Sequence, residues 1–329
     1  MNKMRCHICL EDIKISKFPE YHDRCIKKLF GSIRVSPHLD FDKKDFMTRI
    51  AMENSKRMSI SGVQQKLSMR LDGDRLVPTD VNGTYILKPT PYEFPEASEN
   101  EHASMLMGAI AGIETPPLGL VLLKDGEKAY IIRRFDKNEN ARVHCEDMTQ
   151  LLGLNRDAGG EYKYLHSYEE VGKAILKHTN GNKGCVMDFI RRLIFNFLIN
   201  NGDYHLKNIS LQLVSPSREP VFDKMTPNYD ALDTRIYFPD EYVFALDFLA
   251  GNSFTSEYEA LGFFSRVDFL ELGKRLGIND KAVDALISNF ISKKEKMISV
   301  LQKSYMSDKI SSKYHANLSS RFKALEVVG

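Results

Sequence analysis

The run Leu198-Ile199-Asn200-Asn201-Gly202-Asp203-Tyr204-His205-Leu206-Lys207-Asn208 decides how this chain is read, together with Thr226-Pro227-Asn228-Tyr229-Asp230. Asp203 sits on a Gly-led turn, His205 follows two residues later and Asn208 five residues later, and Asp230 arrives after a strand-like spacer. Phosphoryl transfer asks for such parts. It needs a carboxylate to orient a hydroxyl nucleophile and accept its proton, and oxygen ligands for Mg²⁺. Asp and Asn are also common turn formers, so the surrounding chain has to decide.

Upstream, Asp188 to Asn200 carries Phe189, Leu193, Ile194, Phe197 and Leu198 at helical spacing. This predicts a buried helix that delivers Gly202-Asp203 at its C-terminal end. Glu169 to Thr179 is a second amphipathic segment in a region that reads as helical from about Arg142 onward. Downstream, Ile209, Leu211 and Leu213 alternate with polar residues as a strand, with Pro220 to Met225 as the expected partner. That hairpin returns Asp230 toward the Asp203 loop. From Ser256, residues such as Leu261, Phe264, Phe269, Leu272, Leu276, Val283 and Ile287 recur at helical spacing, with Gly277 as a stop. They read as the core of a helical lobe without chemistry of its own.

The N-terminal half reads differently. Ser59-Ile60-Ser61-Gly62-Val63-Gln64 is a small, hydroxyl-rich loop whose backbone amides suit a phosphate, although one Gly before a strand also suits a plain turn. Leu67, Met69 and Leu71 then alternate with polar residues as a half-buried strand. Tyr85-Ile86-Leu87-Lys88 is a second strand stopped by Pro89, and Ser98-Glu99-Asn100-Glu101 reads as a capping box opening a helix with Leu106, Met107 and Ile110 on one face. Leu118 to Leu123 and Lys128 to Phe135 flank Asp125-Gly126, a hairpin signal. Gly loop, strand, strand ending in Lys, acid-bearing helix and hairpin is the order of a protein-kinase small lobe. There the strand Lys holds ATP phosphates and pairs with a helix Glu. Lys88 is that lysine on this reading, with Glu99 or Glu101 available to it; alone, it would read as an edge-strand Lys.

The first residues carry a separate signal. Cys6-x2-Cys9, twelve residues and His22-x2-Cys25 present two pairs of ligand-type side chains, the requirement of a tetrahedral structural Zn²⁺ site. Small buried thiols packing a helical hairpin remain the other reading.

With 329 residues, two lobes are expected: a Cys/His segment over 1–50, a small β-rich lobe over 51–140 and a mostly helical lobe over 141–329. This is an α+β, bilobal, protein-kinase-like fold. The 43% apolar and 27% charged content is that of a globular protein, and a net charge of +2 gives no reason to expect direct nucleic-acid binding. No apolar run approaches the ~18 residues of a membrane span and no signal peptide is visible, so the cytoplasm is expected, with all five cysteines reduced.

These segments resemble the HipA-like serine/threonine kinases, toxins of bacterial toxin–antitoxin modules, from about residue 55 to the C-terminus. The resemblance is carried by Ser61-Gly62-Val63-Gln64-Gln65-Lys66, Tyr85-Ile86-Leu87-Lys88-Pro89, Glu99-Asn100-Glu101, Arg134-Phe135-Asp136, Gly202 to Asn208 and Tyr229-Asp230. It implies Asp203 as catalytic base, Asn208 and Asp230 as Mg²⁺ ligands, and ATP held by Lys88, Lys207, the Ser61 to Gln64 loop and the chain at Arg134 and Phe135. His205 is implied to support the catalytic loop and the phosphates; a neutral His bonded to backbone explains it equally well. The short segment before the Gly-containing loop is similar to the HipT branch, in which a separate HipS-like protein accompanies a DNA-binding HipB-like antitoxin. Ser59 and Ser61 match the paired loop serines that such kinases autophosphorylate. A phosphate there would add about −1.5 to −2 charge to a loop built for ATP phosphates, and is expected to reduce activity. Arg133 stands where the family often has an acid. By the same analogy the substrate is a translation component such as an aminoacyl-tRNA synthetase. Two other readings compete: a small-molecule phosphotransferase, whose loop His usually precedes the Asp, and a non-catalytic pseudokinase, which would have lost Lys88, Asp203, Asn208 or Asp230.

Overall fold

The computed structural model describes residues 4–56, 65–137, 142–154, 160–213 and 221–327. The chain divides into two compact units: Met1–Leu106 with Pro116–Arg142 and Val300–Ser311, and Met107–Thr115 with Val143–Ser299 and Ser312–Gly329.

The first unit is built on a five-stranded antiparallel sheet. In chain order its strands are β1 (Leu67–Asp72), β2 (Arg75–Pro78), β3 (Tyr85–Pro89), β4 (Leu118–Leu122) and β5 (Lys128–Arg133), arranged spatially β2-β1-β3-β5-β4. Leu67 and Met69 of β1 point inward as their alternation predicts, and Tyr85, Leu87 and Lys88 of central β3 are all buried. β3 runs one residue past Lys88, because Pro89 ends the strand, where its missing N–H costs least. The β4–β5 hairpin turns at Asp125-Gly126, whose Gly adopts φ 85. Strand β2 carries no alternation that would announce it: Arg75-Leu76-Val77-Pro78 has one fully buried side chain.

The N-terminal segment contributes to the same core. An antiparallel bridge joins Arg5 to Asp12, and α1 (Asp23–Phe30) ends on Gly31 in the left-handed conformation. Ile26, Leu29 and Phe30 of α1 pack with Leu67, Met69, Leu87 and Ile131, and each such side chain contributes roughly 1.5–3 kcal/mol by burial. Helix α2 spans Lys43–Lys56 and α3 spans Ala97–Ile110. α3 begins one residue before Ser98, so Ser98 is not its cap. The Ser98 hydroxyl instead donates to the Lys88 carbonyl at 2.9 Å, tying the helix to β3. Nor is α3 apolar on one face: Ser98, Asn100, Glu101, His102 and Ser104 are all buried, as are Met105 and Met107.

The second unit is mostly helical. A small sheet of β6 (His144–Asp147), β7 (Ser210–Leu213) and β8 (Lys224–Met225) pairs in the order β6-β7-β8. The helices of this unit are α4 (Met148–Leu151), α5 (Tyr168–His178), α6 (Lys183–Leu198), α7 (Ser256–Leu261), α8 (Arg266–Arg275) and α9 (Asp280–Ser292), together with α10 (Lys294–Lys303) and α11 (Asp308–Glu326) apart from residues 300–303 and 308–311, which belong to the first unit. α5 starts at a capping box in which the Ser167 side chain accepts from Glu170 N and the Glu170 side chain accepts from Ser167 N. α6 buries Phe189, Leu193, Ile194, Phe197 and Leu198, the periodic residues of the sequence, and ends at the Asn200-Asn201-Gly202 turn. No helix among the described residues is long and apolar enough to cross a membrane.

Candidate active site

In the first unit, strand β3 and helix α3 place one ion pair. Lys88 Nζ donates to Glu101 Oε1 at 2.7 Å, with the Lys88 side chain 9% exposed and that of Glu101 wholly buried. Of the two candidate partners it is Glu101 that pairs. Glu99 lies 4.0 Å from Lys128 Nζ, and burial raises its pKa. The Tyr130 ring, opposite Lys88 in the β3–β5 register, lies 5.8 Å from the ammonium. A buried ion pair costs desolvation that packed hydrophobes would avoid, so it is weak evidence for stability.

After β5 the chain leaves through Arg134-Phe135-Asp136. Arg134 N donates to Thr84 O at 2.8 Å, and its guanidinium grips Asp136 with two hydrogen bonds. Burial pushes the Asp136 carboxyl up, but the Arg134 contacts outweigh it and hold the pKa below its ordinary value. Arg134 thus braces the turn around Phe135. Ser59, Ser61, Gly62, Val63 and Gln64 lie outside the described residues.

In the second unit, the loop after α6 is held on all sides. Gly202 N donates to Thr234 Oγ1 at 2.8 Å, and a Cβ on Gly202 would stand 2.8 Å from Tyr242 O and 2.9 Å from Glu241 Oε2, so only glycine fits there. The Asp203 backbone is fixed twice: its N donates to Asn201 Oδ1 at 3.2 Å, and its carbonyl accepts from His205 N at 2.8 Å and from Asn208 Nδ2 at 3.0 Å. Its carboxylate is about half exposed (47%), with Oδ1 accepting from Tyr164 Oη at 2.9 Å and lying 3.9 Å from Lys163 Nζ and 3.7 Å from His205 Nε2. The loop therefore has a fixed backbone and an accessible carboxylate.

His205 is buried; burial lowers its pKa, against the opposing charges of Asp203 and Asp230, so the imidazole is neutral near pH 7. Its Nδ1 is buried with no hydrogen-bond partner among the described residues. Lys207 stacks over the Tyr162 ring at 4.7 Å, and a short 3₁₀ turn, Leu206–Asn208, leads into β7.

Strand β8 then returns the chain to this loop. Tyr229 Oη donates to Lys207 O at 2.9 Å and lies 2.7 Å from Ser210 Oγ, which anchors the residue before Asp230 to the catalytic-type turn. Asp230 itself adopts φ 57, the left-handed region that Asp enters more readily than most side chains. With its Nδ2 committed to the Asp203 carbonyl, Asn208 can offer its amide oxygen to a cation. An amide oxygen and a carboxylate are hard ligands, so Asn208 and Asp230 fit Mg²⁺ by donor type.

Four supports of this loop carried no signal in the sequence: Tyr164, Asn201, Tyr229 as a hydrogen-bonding group, and Thr234. Asn201 Nδ2 donates to Asn196 Oδ1 at 2.7 Å and Thr234 Oγ1 bonds Asn200 O at 3.1 Å, contacts that no local periodicity announces.

A second cluster lies in the first unit. The ligand atoms of Cys6, Cys9, His22 and Cys25 all fall within 4.8 Å of one another, and all three cysteines are free thiols.

Comparison with known proteins places these sites in a family. A protein of Haemophilus influenzae named "Putative kinase" is 30% identical over 323 residues, covering 92% of this chain and 91% of that protein. The serine/threonine-protein kinase toxin HipA of Shewanella oneidensis is 25% identical over 216 residues, covering 59% of this chain and 48% of the toxin. Among solved structures, the Shewanella oneidensis HipA in complex with HipB and operator DNA superposes with a TM-score of 0.66 at 20% identity, over 87% of this chain and 71% of that one. The fold is thus the kinase-like fold of HipA. With the model of the HipA-like C-terminal domain matching residues 58–298, a span holding both the Lys88–Glu101 pair and the Asp203 loop, the chain belongs to the HipA-like family.

Proposed function

We propose that this chain is an ATP- and Mg²⁺-dependent serine/threonine protein kinase that acts as the toxin of a bacterial toxin–antitoxin module. The observation that carries this reading is the Asp203 loop. A half-exposed carboxylate stands on a backbone clamped by His205, Asn208 and Asn201.

In this reading Asp203 orients the substrate hydroxyl and takes its proton as the oxygen attacks the γ-phosphorus and the bond from the γ-phosphorus to the β–γ bridging oxygen breaks, so that ADP leaves. Asn208 and Asp230 would hold Mg²⁺, which would neutralise phosphate charge. Lys88, positioned by Glu101, contacts ATP phosphates; Lys207 and the Ser61 to Gln64 loop add phosphate contacts, and the chain at Arg134 and Phe135 meets adenine. His205 supports the loop as a neutral imidazole. Ser59 and Ser61 are autophosphorylated, which lowers activity through charge repulsion with nucleotide.

The target is a cytoplasmic translation component such as an aminoacyl-tRNA synthetase, and the partners are HipB-like and HipS-like antitoxin proteins. The test is transfer of labelled phosphate from ATP in cell extract by the native chain and by Asp203→Ala. The expected result is discrete labelled protein bands with the native chain and none with the variant; identical bands from both would remove Asp203 from its role.

A further inference from the structure

The Cys/His cluster takes no part in phosphoryl transfer, yet its geometry is more specific than packing requires. Thiols that merely fill a core have no reason to converge on an imidazole. Here Cys9 Sγ lies 3.3 Å and Cys25 Sγ 4.0 Å from the same atom, His22 Nδ1. A tetrahedral Zn²⁺ with bonds of about 2.3 Å to sulfur and 2.0 Å to nitrogen places neighbouring ligand atoms roughly 3.5–3.8 Å apart, so small shifts complete the site.

Three further observations belong to metal binding rather than to packing. First, His22 Nε2 lies 3.1 Å from the Asp12 carbonyl. Donation by Nε2–H fixes the tautomer and leaves the Nδ1 lone pair facing the sulfurs, the outer-shell arrangement of metal-ligating histidines. Second, His22 N donates to Cys6 Sγ at 3.4 Å, which favours a thiolate. Third, the Cys6-x2-Cys9 turn closes with Leu10 N donating to Cys6 O at 2.9 Å, and Leu10 takes φ 61. A buried leucine in the left-handed region is strained, and such strain persists where a turn has a task. Glycine usually supplies that conformation in a Cys-x2-Cys knuckle; here leucine does so.

We propose that Cys6, Cys9, His22 and Cys25 bind one structural Zn²⁺ ion that closes the N-terminal segment of the first unit, tying the Cys6–Cys9 turn to the start of α1. Two deprotonated partners in each pair come from one tight turn: Cys6 and Cys9 from the knuckle, His22 and Cys25 from the N-cap and first turn of α1. The ion holds the knuckle and the start of α1 together within a segment whose Ile8, Tyr21, Ile26, Leu29 and Phe30 are buried in the core of the first unit. The knuckle is in turn docked on β4 and on α3, the helix that carries Glu101. Leu120 N of β4 donates to His7 O at 2.9 Å, and fully buried His102 of α3, the residue after Glu101, places Nε2 3.0 Å from Ile8 O. Zinc therefore stabilises the packing against which α3 rests.

The test uses the full chain purified without chelators. Elemental analysis is expected to find about one zinc per chain, in the native protein and in Cys145→Ser, whose thiol lies outside the cluster. In Cys9→Ser/His22→Ala, the two half-buried ligands, most of the metal is lost. As a readout independent of that variant's folding, the native chain is also stripped and titrated with Co²⁺. The expected signature is the tetrahedral d–d spectrum with thiolate charge-transfer bands, reaching its end point at one equivalent. Absence of stoichiometric zinc together with an octahedral cobalt spectrum overturns the site, as does zinc held undiminished by the double variant. Metal content and cobalt spectra do not depend on phosphoryl transfer, so failure of the kinase reading leaves this test intact.

Discussion

Lys88 and Glu101 set the sharpest expectation for single residues, because their ion pair is almost completely removed from water. Substituting Lys88→Met keeps the length of the side chain and leaves the Glu101 carboxylate without its ammonium. Breaking a buried pair in this way costs about 3–5 kcal/mol, and it should show as a lower denaturant midpoint with labelled-phosphate transfer abolished. Adding Glu101→Gln should recover most of the stability, since no buried charge remains, but none of the transfer. Recovery of both by the double variant would mean that Lys88 acts only on the fold. Asp203→Asn is the complementary case. Tyr164 and the loop backbone keep their hydrogen bonds, so stability should stay close to native, while the rate falls by about 10²–10⁴ through loss of the proton acceptor. Nucleotide binding, read by a thermal shift with an ATP analogue, should be unaffected.

At the level of elements, the loop after α6 depends on the absence of a side chain at Gly202. Alanine there would press on the Tyr242 carbonyl and the Glu241 carboxylate, and overpacking of this kind costs about 1–3 kcal/mol. The Thr234 hydroxyl hydrogen-bonds to Gly202 N and to the Glu241 carboxylate, so the strain is felt along the turn that aims Asp203. Gly202→Ala should therefore lower phosphate transfer at least tenfold with only a modest fall in the urea midpoint; an unchanged rate would show that the loop relaxes without moving the carboxylate. Such close approach is where the sequence stops being readable. Helix α6, the amphipathic stretch of α5, strands β1 and β3 and the β4–β5 hairpin were legible because each carries its own periodicity or turn chemistry. Strand β6, His-Cys-Glu-Asp, has no apolar alternation and exists through pairing with β7. The capping-box reading of Ser98 failed for a related reason: a tertiary hydrogen bond to the Lys88 carbonyl competes for the hydroxyl. The candidates Lys88, Asp203, His205, Asn208 and Asp230 stand out in the sequence by residue type and order, whereas Tyr164, Asn201 and Thr234 touch the Asp203 loop through contacts made only after folding.

Across the whole molecule, cooperative stability joins segments far apart in sequence, and its pH dependence can be assigned. Residues 300–311 belong to the unit that begins at the N-terminus: Lys303 Nζ bonds Glu11 Oε1 at 2.9 Å, and the Tyr305 hydroxyl donates to the Arg5 carbonyl. In the other unit, Asp233 is wholly buried and accepts from Asn317 Nδ2 at 3.0 Å, linking the segment after Asp230 to α11. Burial pushes the Asp233 pKa up to about 7 despite the hydrogen bonds from Asn317 and the Ile236 backbone, and burial likewise pushes Glu241 up to about 7. An acid with a raised folded-state pKa keeps its proton in the native state while the unfolded chain has already released it. The native state then binds more protons, and stability falls as pH rises from the ordinary carboxylate range, near 4, to about 7, and is level above that. Each such proton contributes a slope of at most about 1.4 kcal/mol per pH unit. Other carboxyls, such as Asp136, are held low and act in the opposite sense, so the informative quantity is a difference between variants. Asp233→Asn keeps the shape, and the Asn317 amide can turn to match it. Urea midpoints between about pH 4 and 8 should show the variant losing less stability than the native chain as pH rises, with the two curves separating over that window. Parallel curves would mean that Asp233 ionises at its ordinary pKa, and that the polar contacts around it compensate fully for its burial.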